Sequence, residues 1–66
     1  MLSARNQFKG VVKSVKLGNV MAEVVVQVGP IEVVSMITRT SAETLALKPG
    51  DEVKAIIKAT EVLLDK

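Results

Sequence analysis

The chain has 66 residues, is 48% hydrophobic with Phe8 as its one aromatic residue, and sets nine Lys and Arg against seven Asp and Glu for a net charge of +2. A domain of this size buries only about 60% of the surface its unfolded form exposes, so small scaffolds usually add a disulfide, a metal or a partner chain. With no Cys and no His, disulfides, the ligands zinc prefers and Cys-His or Ser-His nucleophilic catalysis are all excluded, which leaves self-association as the stabilising device. No apolar run approaches the ~20 residues of a membrane span. The opening Met1-Leu2-Ser3-Ala4-Arg5-Asn6 lacks a positive segment followed by an apolar one, so a cytoplasmic location is expected.

Turn signals recur about every ten residues, the spacing of a small all-β domain. From Gln7 to Lys16, Phe8, Gly10 and Val12 alternate with Val11, Lys13 and Val15 as a first strand, ended by Leu17-Gly18-Asn19. Gly10 inside it marks a bulge or a close backbone approach. The second strand carries the clearest period of two, with Val20, Ala22, Val24, Val26 and Val28 on one face and Met21, Glu23, Val25 and Gln27 on the other. Gly29-Pro30 turns the chain into a third strand, Ile31 to Thr38. Thr40-Ser41-Ala42-Glu43 fits a capping box and predicts a short helix to about Leu47, stopped by Lys48-Pro49-Gly50. Val53 to Lys58 alternates as a fourth strand, Ala59-Thr60 bends, and Val62-Leu63-Leu64 forms a fifth. Five strands with one helix between the third and fourth is the element order of an OB-type Greek-key barrel. Several strands are apolar on both faces, as with Val25 against Val24 and Val26, and a small barrel has one inside; the outer face is read as a subunit interface.

Catalysis needs a nucleophile with its base, or two converging carboxylates. Neither is present: Glu23, Glu32, Glu43, Asp51, Glu52, Glu61 and Asp65 fall where solubilising charges belong, and no loop has cation-binding spacing. The donors are more telling. Ser3, Arg5 and Asn6 precede the first strand, Thr38 and Ser41 flank the helix start, and Lys58 and Thr60 stand at the bend before the last strand. Hydroxyls and cations at strand ends, with no carboxylate beside them, suit an oxyanion, and the amides of a helix start add to the attraction.

These residues lie in longer motifs. Ser3-Ala4-Arg5-Asn6-Gln7-Phe8-Lys9-Gly10-Val11-Val12, Met36-Ile37-Thr38-Arg39-Thr40-Ser41-Ala42-Glu43 and Val53-Lys54-Ala55-Ile56-Ile57-Lys58-Ala59-Thr60-Glu61-Val62 together resemble the molbindin or Mop family over nearly the whole chain. The resemblance implies a single molbindin-like domain over residues 1–66, an OB fold, and assembly as a homohexamer, a trimer of dimers, holding molybdate or tungstate between subunits for intracellular molybdenum storage or homeostasis. It places Ser3, Ala4 and Arg5 in the first anion-binding segment, Thr38 and Ser41 in the second, and Lys58 with the Ala59 amide in the third. Asn6 and Thr60 are additional candidates. Where a relative of this family has Ser after the Lys, this chain has Ala59, which leaves only a backbone donor there.

A tetrahedral dianion with four acceptor oxygens and no proton suits a pocket built of donors alone, whereas protonated phosphate would need an acceptor. The chain is thus expected to need no cofactor and no metal cation, and to be no enzyme. Two other readings fit an OB fold: a single-stranded nucleic-acid module, for which a lone Phe8 and small charge provide little stacking or attraction, and a self-association or regulatory domain.

Overall fold

The computed structural model describes residues 5–66. Four strands, β1 (Asn6–Leu17), β2 (Met21–Val28), β3 (Ile31–Thr38) and β4 (Glu52–Ile57), form one sheet in the order β3-β2-β1-β4, with the helix α1 (Arg39–Thr44) after β3. Every neighbouring pair is antiparallel. The sheet curls around a core of Val12, Val24 and Val26, against which Val15, Val28, Val33, Ile37, Leu47 and Val53 pack. Valine dominates because a β-branched side chain fills a pleated surface well.

The alternation in β2, β3 and β4 lies as the sequence predicts: Ala22, Val24 and Val26 are buried and the Val33, Ser35, Ile37 row half-buried, while Val34 and Met36 face outward. β1 departs from it. Val12 pairs with Val26 but Ser14 with Val25, so Lys13 is an extra residue bulged out of the ladder. The bulge returns Val15 to the same face as Val12, opposite Val24, where strict alternation had placed it on the other. It also frees Lys13 to reach across β2 to an ion pair with Glu32 on β3. Gly10 is therefore not the bulge. It is the close approach, since a β-carbon there would lie 2.6 Å from the Gln27 carbonyl oxygen and 2.7 Å from a Val26 methyl.

The helix differs at both ends from the reading that began it at Thr40. Its cap is Thr38, whose Oγ1 accepts the Ser41 amide at 3.1 Å. The Thr40 to Glu43 capping box does not form, because β3 runs directly into the helix and brings Thr38 into the capping position. The far end closes earlier than Leu47: Leu47 N–H donates to Ala42 C=O, Ala46 N–H donates to Glu43 C=O, and Ala46 takes φ 51°. This double closure with a left-handed residue usually calls for glycine, which is why a sequence reading that looked to Pro49-Gly50 set the end too far. It turns Leu47 back toward the core. The Lys48 side chain and amide both bond the Asp51 carboxylate, at 3.1 Å each, and hold that carboxyl below its ordinary value.

The fifth strand does not form within the chain. Ala59–Glu61 is a 3-10 turn, η1, and Val62 to Leu64 have no strand partner among the described residues. β3 and β4 are both edges, and between them runs an apolar groove of about 660 Å³ lined in part by Val33, Ile37, Val53 and Ile57. Outside it, Leu63 is 90% and Leu64 94% exposed. The barrel is open along this seam.

Two substitutions test the backbone account with opposite signs. Gly10→Ala forces a methyl into the Gln27 carbonyl and should lower stability by about 1 to 3 kcal/mol, whereas Ala46→Gly relieves the left-handed strain and should raise it by about 1 kcal/mol. Chemical denaturation of both variants checks this, and equal effects of one sign would contradict it.

Candidate functional site

The donors fall into two groups set by the ladder. Asn6 pairs with Ile57 as the last rung of the β1–β4 ladder, and Arg5 and Lys58 are the residues next to that rung in the chain, at the end of the sheet where β1 begins and β4 stops. Both are exposed, and among the described residues neither has an ion-pair partner. Thr38 pairs with Met21 at the other end, beyond the Leu17 to Ala22 rung that closes the β1–β2 ladder. One chain therefore separates the Arg5 and Lys58 pair from the Thr38 and Ser41 pair along the length of its sheet. Ser3 and Ala4 lie outside the described residues.

Lys58 stands before η1 with no side-chain cap, and Glu61 N–H bonds back to its carbonyl at 2.9 Å. Ala59 and Thr60 follow, exposed, with Ala59 offering its backbone alone. Asn6 is half-buried on the first rung of β1.

At the helix, Thr38 Oγ1 accepts the Ser41 amide and donates to Ser41 Oγ at 2.8 Å. The two hydroxyls thus bond each other beside the capped amide, and both residues are exposed. The helix-start amides are less available than the sequence implies, since Arg39 N–H is bonded to the Val20 carbonyl at 2.8 Å and Ser41 N–H to Thr38. Donors without carboxylates also needs amending: Glu43 lies one turn from Arg39 and pairs with it at 3.5 Å, and Glu61 lines the same groove as Lys58. Arg39 itself reaches the Gly18 carbonyl at 3.2 Å. Sequence reasoning passed over it; the Arg39 to Glu43 spacing of four was its one visible sign.

Among the described residues no cluster of Asp or Glu is placed to hold a metal ion, and no helix is long and apolar enough to cross a membrane.

The TOBE domain family matches residues 2–64. Molybdenum-pterin-binding protein 3 of Clostridium pasteurianum is 48% identical over 64 residues, covering 96% of this chain and 94% of its own. Among solved structures, a molybdate binding protein from Sporomusa ovata superposes with a TM-score of 0.95 at 41% identity, over 100% of this chain and 98% of that one. The cytoplasmic molybdate-binding protein ModG, in a molybdate-bound form, gives 0.84 at 43% identity over 89% of this chain and 43% of its own. The chain belongs to the TOBE domain family and, within it, to the molbindin or Mop group.

The hydroxyl pair makes a prediction that separates a cap from a ligand. Thr38→Val removes the cap and should cost about 1 kcal/mol of folding stability, while Ser41→Ala, which leaves the amide bond to Thr38 in place, should cost under about 0.5 kcal/mol. Denaturant midpoints of the two variants decide, and an equal loss in both would mean that Thr38 does not cap α1.

Proposed function

We propose that the chain, as a single molbindin-like domain over residues 1–66, binds molybdate or tungstate without catalysis, at sites completed between copies of a cytoplasmic homohexamer, and so stores or buffers the anion. The observation that carries this reading is the separation of the two donor groups. Arg5 and Lys58 share one end of the sheet by register, and Thr38 and Ser41 the other. A second copy is needed to bring both to one anion. Ser3, Ala4 and Ala59, with Asn6 and Thr60 in reserve, complete the set by the family motif.

The chemistry fits the split. Two adjacent cations neutralise a dianion, and hydroxyl and amide donors then fill its remaining oxygens without offering an acceptor to a protonated rival. Self-association is supported by what the lone chain leaves open: Val34, Met36 and Ile56 exposed on the outer face, two unpaired edges, and the apolar tail beside an apolar groove. Edges of this kind are normally covered. Val62 to Leu64 forms the missing fifth strand in the assembly and closes the barrel. The names of the relatives, molybdenum-pterin-binding and molybdate-binding proteins, point to the same ligand, and the cytoplasmic ModG to the compartment.

Titration calorimetry tests the site. Charge-assisted hydrogen bonds to a desolvated anion imply that Arg5→Ala or Lys58→Ala weakens molybdate binding by roughly ten- to a hundredfold, with the oligomer intact because apolar contacts hold it. Lys16→Ala, on a residue facing Glu23 across the ladder, should leave affinity within about twofold. An equal loss in Lys16→Ala, or tight binding of a short single-stranded oligonucleotide at physiological salt, would favour a nucleic-acid groove instead.

A further inference from the structure

We propose that Arg39 is a positioning residue for the anion site: its guanidinium locks α1 to the β1–β2 turn and thereby aims the Thr38 and Ser41 hydroxyl pair. The proposal rests on the function just given for that pair.

The argument starts from how little else holds α1. The helix has six residues and buries one of them, Ala42, so it is far below the length at which a helix persists unaided, and its orientation depends on a few ties. Arg39 supplies two of these, one through its backbone and one through its side chain, and a third contact holds the side chain against the helix itself. Its amide donates to the Val20 carbonyl at 2.8 Å. Its Nη1 donates to the Gly18 carbonyl at 3.2 Å, and its Nε faces the Glu43 carboxylate at 3.5 Å. One side chain thus bridges backward to the turn and forward along the helix.

The turn it grips is itself fixed. Gly18 N–H bonds the Met21 carbonyl at 2.8 Å, and a β-carbon on Gly18 would lie 2.9 Å from that same oxygen. Met21 in turn is the rung partner of Thr38. Guanidinium, turn and rung thus form a chain of contacts from Arg39 through Gly18 and Met21 back to Thr38, the residue that caps Ser41. A shift of the helix against the turn moves the Ser41 hydroxyl with it.

Lysine cannot replace this. It keeps the charge as a single point on a flexible stem, whereas the planar fork of arginine places two donors in fixed directions. Arg39 is engaged by a carbonyl and a carboxylate, so its charge is spent within the fold and the anion meets hydroxyls aimed by it.

The experiment compares Arg39→Met and Arg39→Lys with the native oligomer by amide hydrogen exchange and molybdate titration. Loss of the bridge should speed exchange at Ser41 by about tenfold in both variants, with Val24 and Val26 in the core unchanged. Molybdate affinity should fall about three- to tenfold in both, the range for one misplaced hydrogen bond. A purely structural role would lower protection at Val24 and Val26 as well. Native-like Ser41 exchange in both variants overturns the proposal, as does unchanged molybdate affinity. Full affinity in Arg39→Lys with loss in Arg39→Met overturns it too, since charge and not the bridge would then matter. If the native protein takes up no molybdate, the functional reading fails, and the Ser41 exchange still decides whether Arg39 holds the hydroxyl pair.

Discussion

The backbone groups along the outer sides of β3 and β4 have no partner within the four-stranded sheet, and an unpaired edge of this kind recruits another strand unless something blunts it. The charges on these two strands are few, Glu32 on β3 and Glu52 and Lys54 on β4. The edges flank an apolar groove, and the chain that could cover them, Val62 to Leu64, extends away with its leucines almost fully exposed. The core explains why the chain tolerates this: five residues among those described are buried, all Val or Ala, too few to stabilise a lone domain comfortably. Open edges, a two-faced sheet and a thin core are three consequences of one constraint, a sequence whose apolar surface exceeds what its own fold can hide.

The same constraint shapes the electrostatics. Because β1 runs past the end of β2, its pairing with β4 ends at the Asn6 and Ile57 rung, which puts Arg5 and Lys58, the next residues in the chain, at the end of the sheet away from Thr38 and Ser41. Two cations at one end of a sheet repel, and in the proposed function an anion bound between copies relieves that repulsion. The proposed function therefore couples assembly to anion binding, with the oligomer creating the site and the ligand neutralising charge that assembly concentrates.

Much of this was legible in the residues. Period-two valines give β2 and its inward face directly, and Gly29 with φ 57° makes the two-residue hairpin that Gly29-Pro30 implies. What the sequence hid was hidden for physical reasons. The Lys13 bulge leaves no compositional mark, since a bulged residue need only point outward. Thr38 and Thr40 are equally good caps in isolation, and only the continuity of β3 into α1 selects Thr38. Ala46 in a left-handed conformation breaks the glycine rule by which a helix end is found. The apolar residues Val62 to Leu64 suggest a fifth strand, but hydrophobicity reports that a segment seeks burial and not that the chain's own sheet offers it a partner. Residue type and motif single out Arg5, Lys58, Thr38 and Ser41 as candidates, whereas their division between two ends of the sheet follows from register alone.

The central claim is that each anion is held by donors from two copies, and anomalous diffraction from crystals grown with tungstate tests it most directly. Tungsten scatters strongly enough to place the ion without reference to the protein. The account predicts an anomalous peak beside the Arg5 and Lys58 end of one copy and the Thr38 and Ser41 end of another. A peak whose donors all come from a single copy, or no peak at these residues, would contradict it.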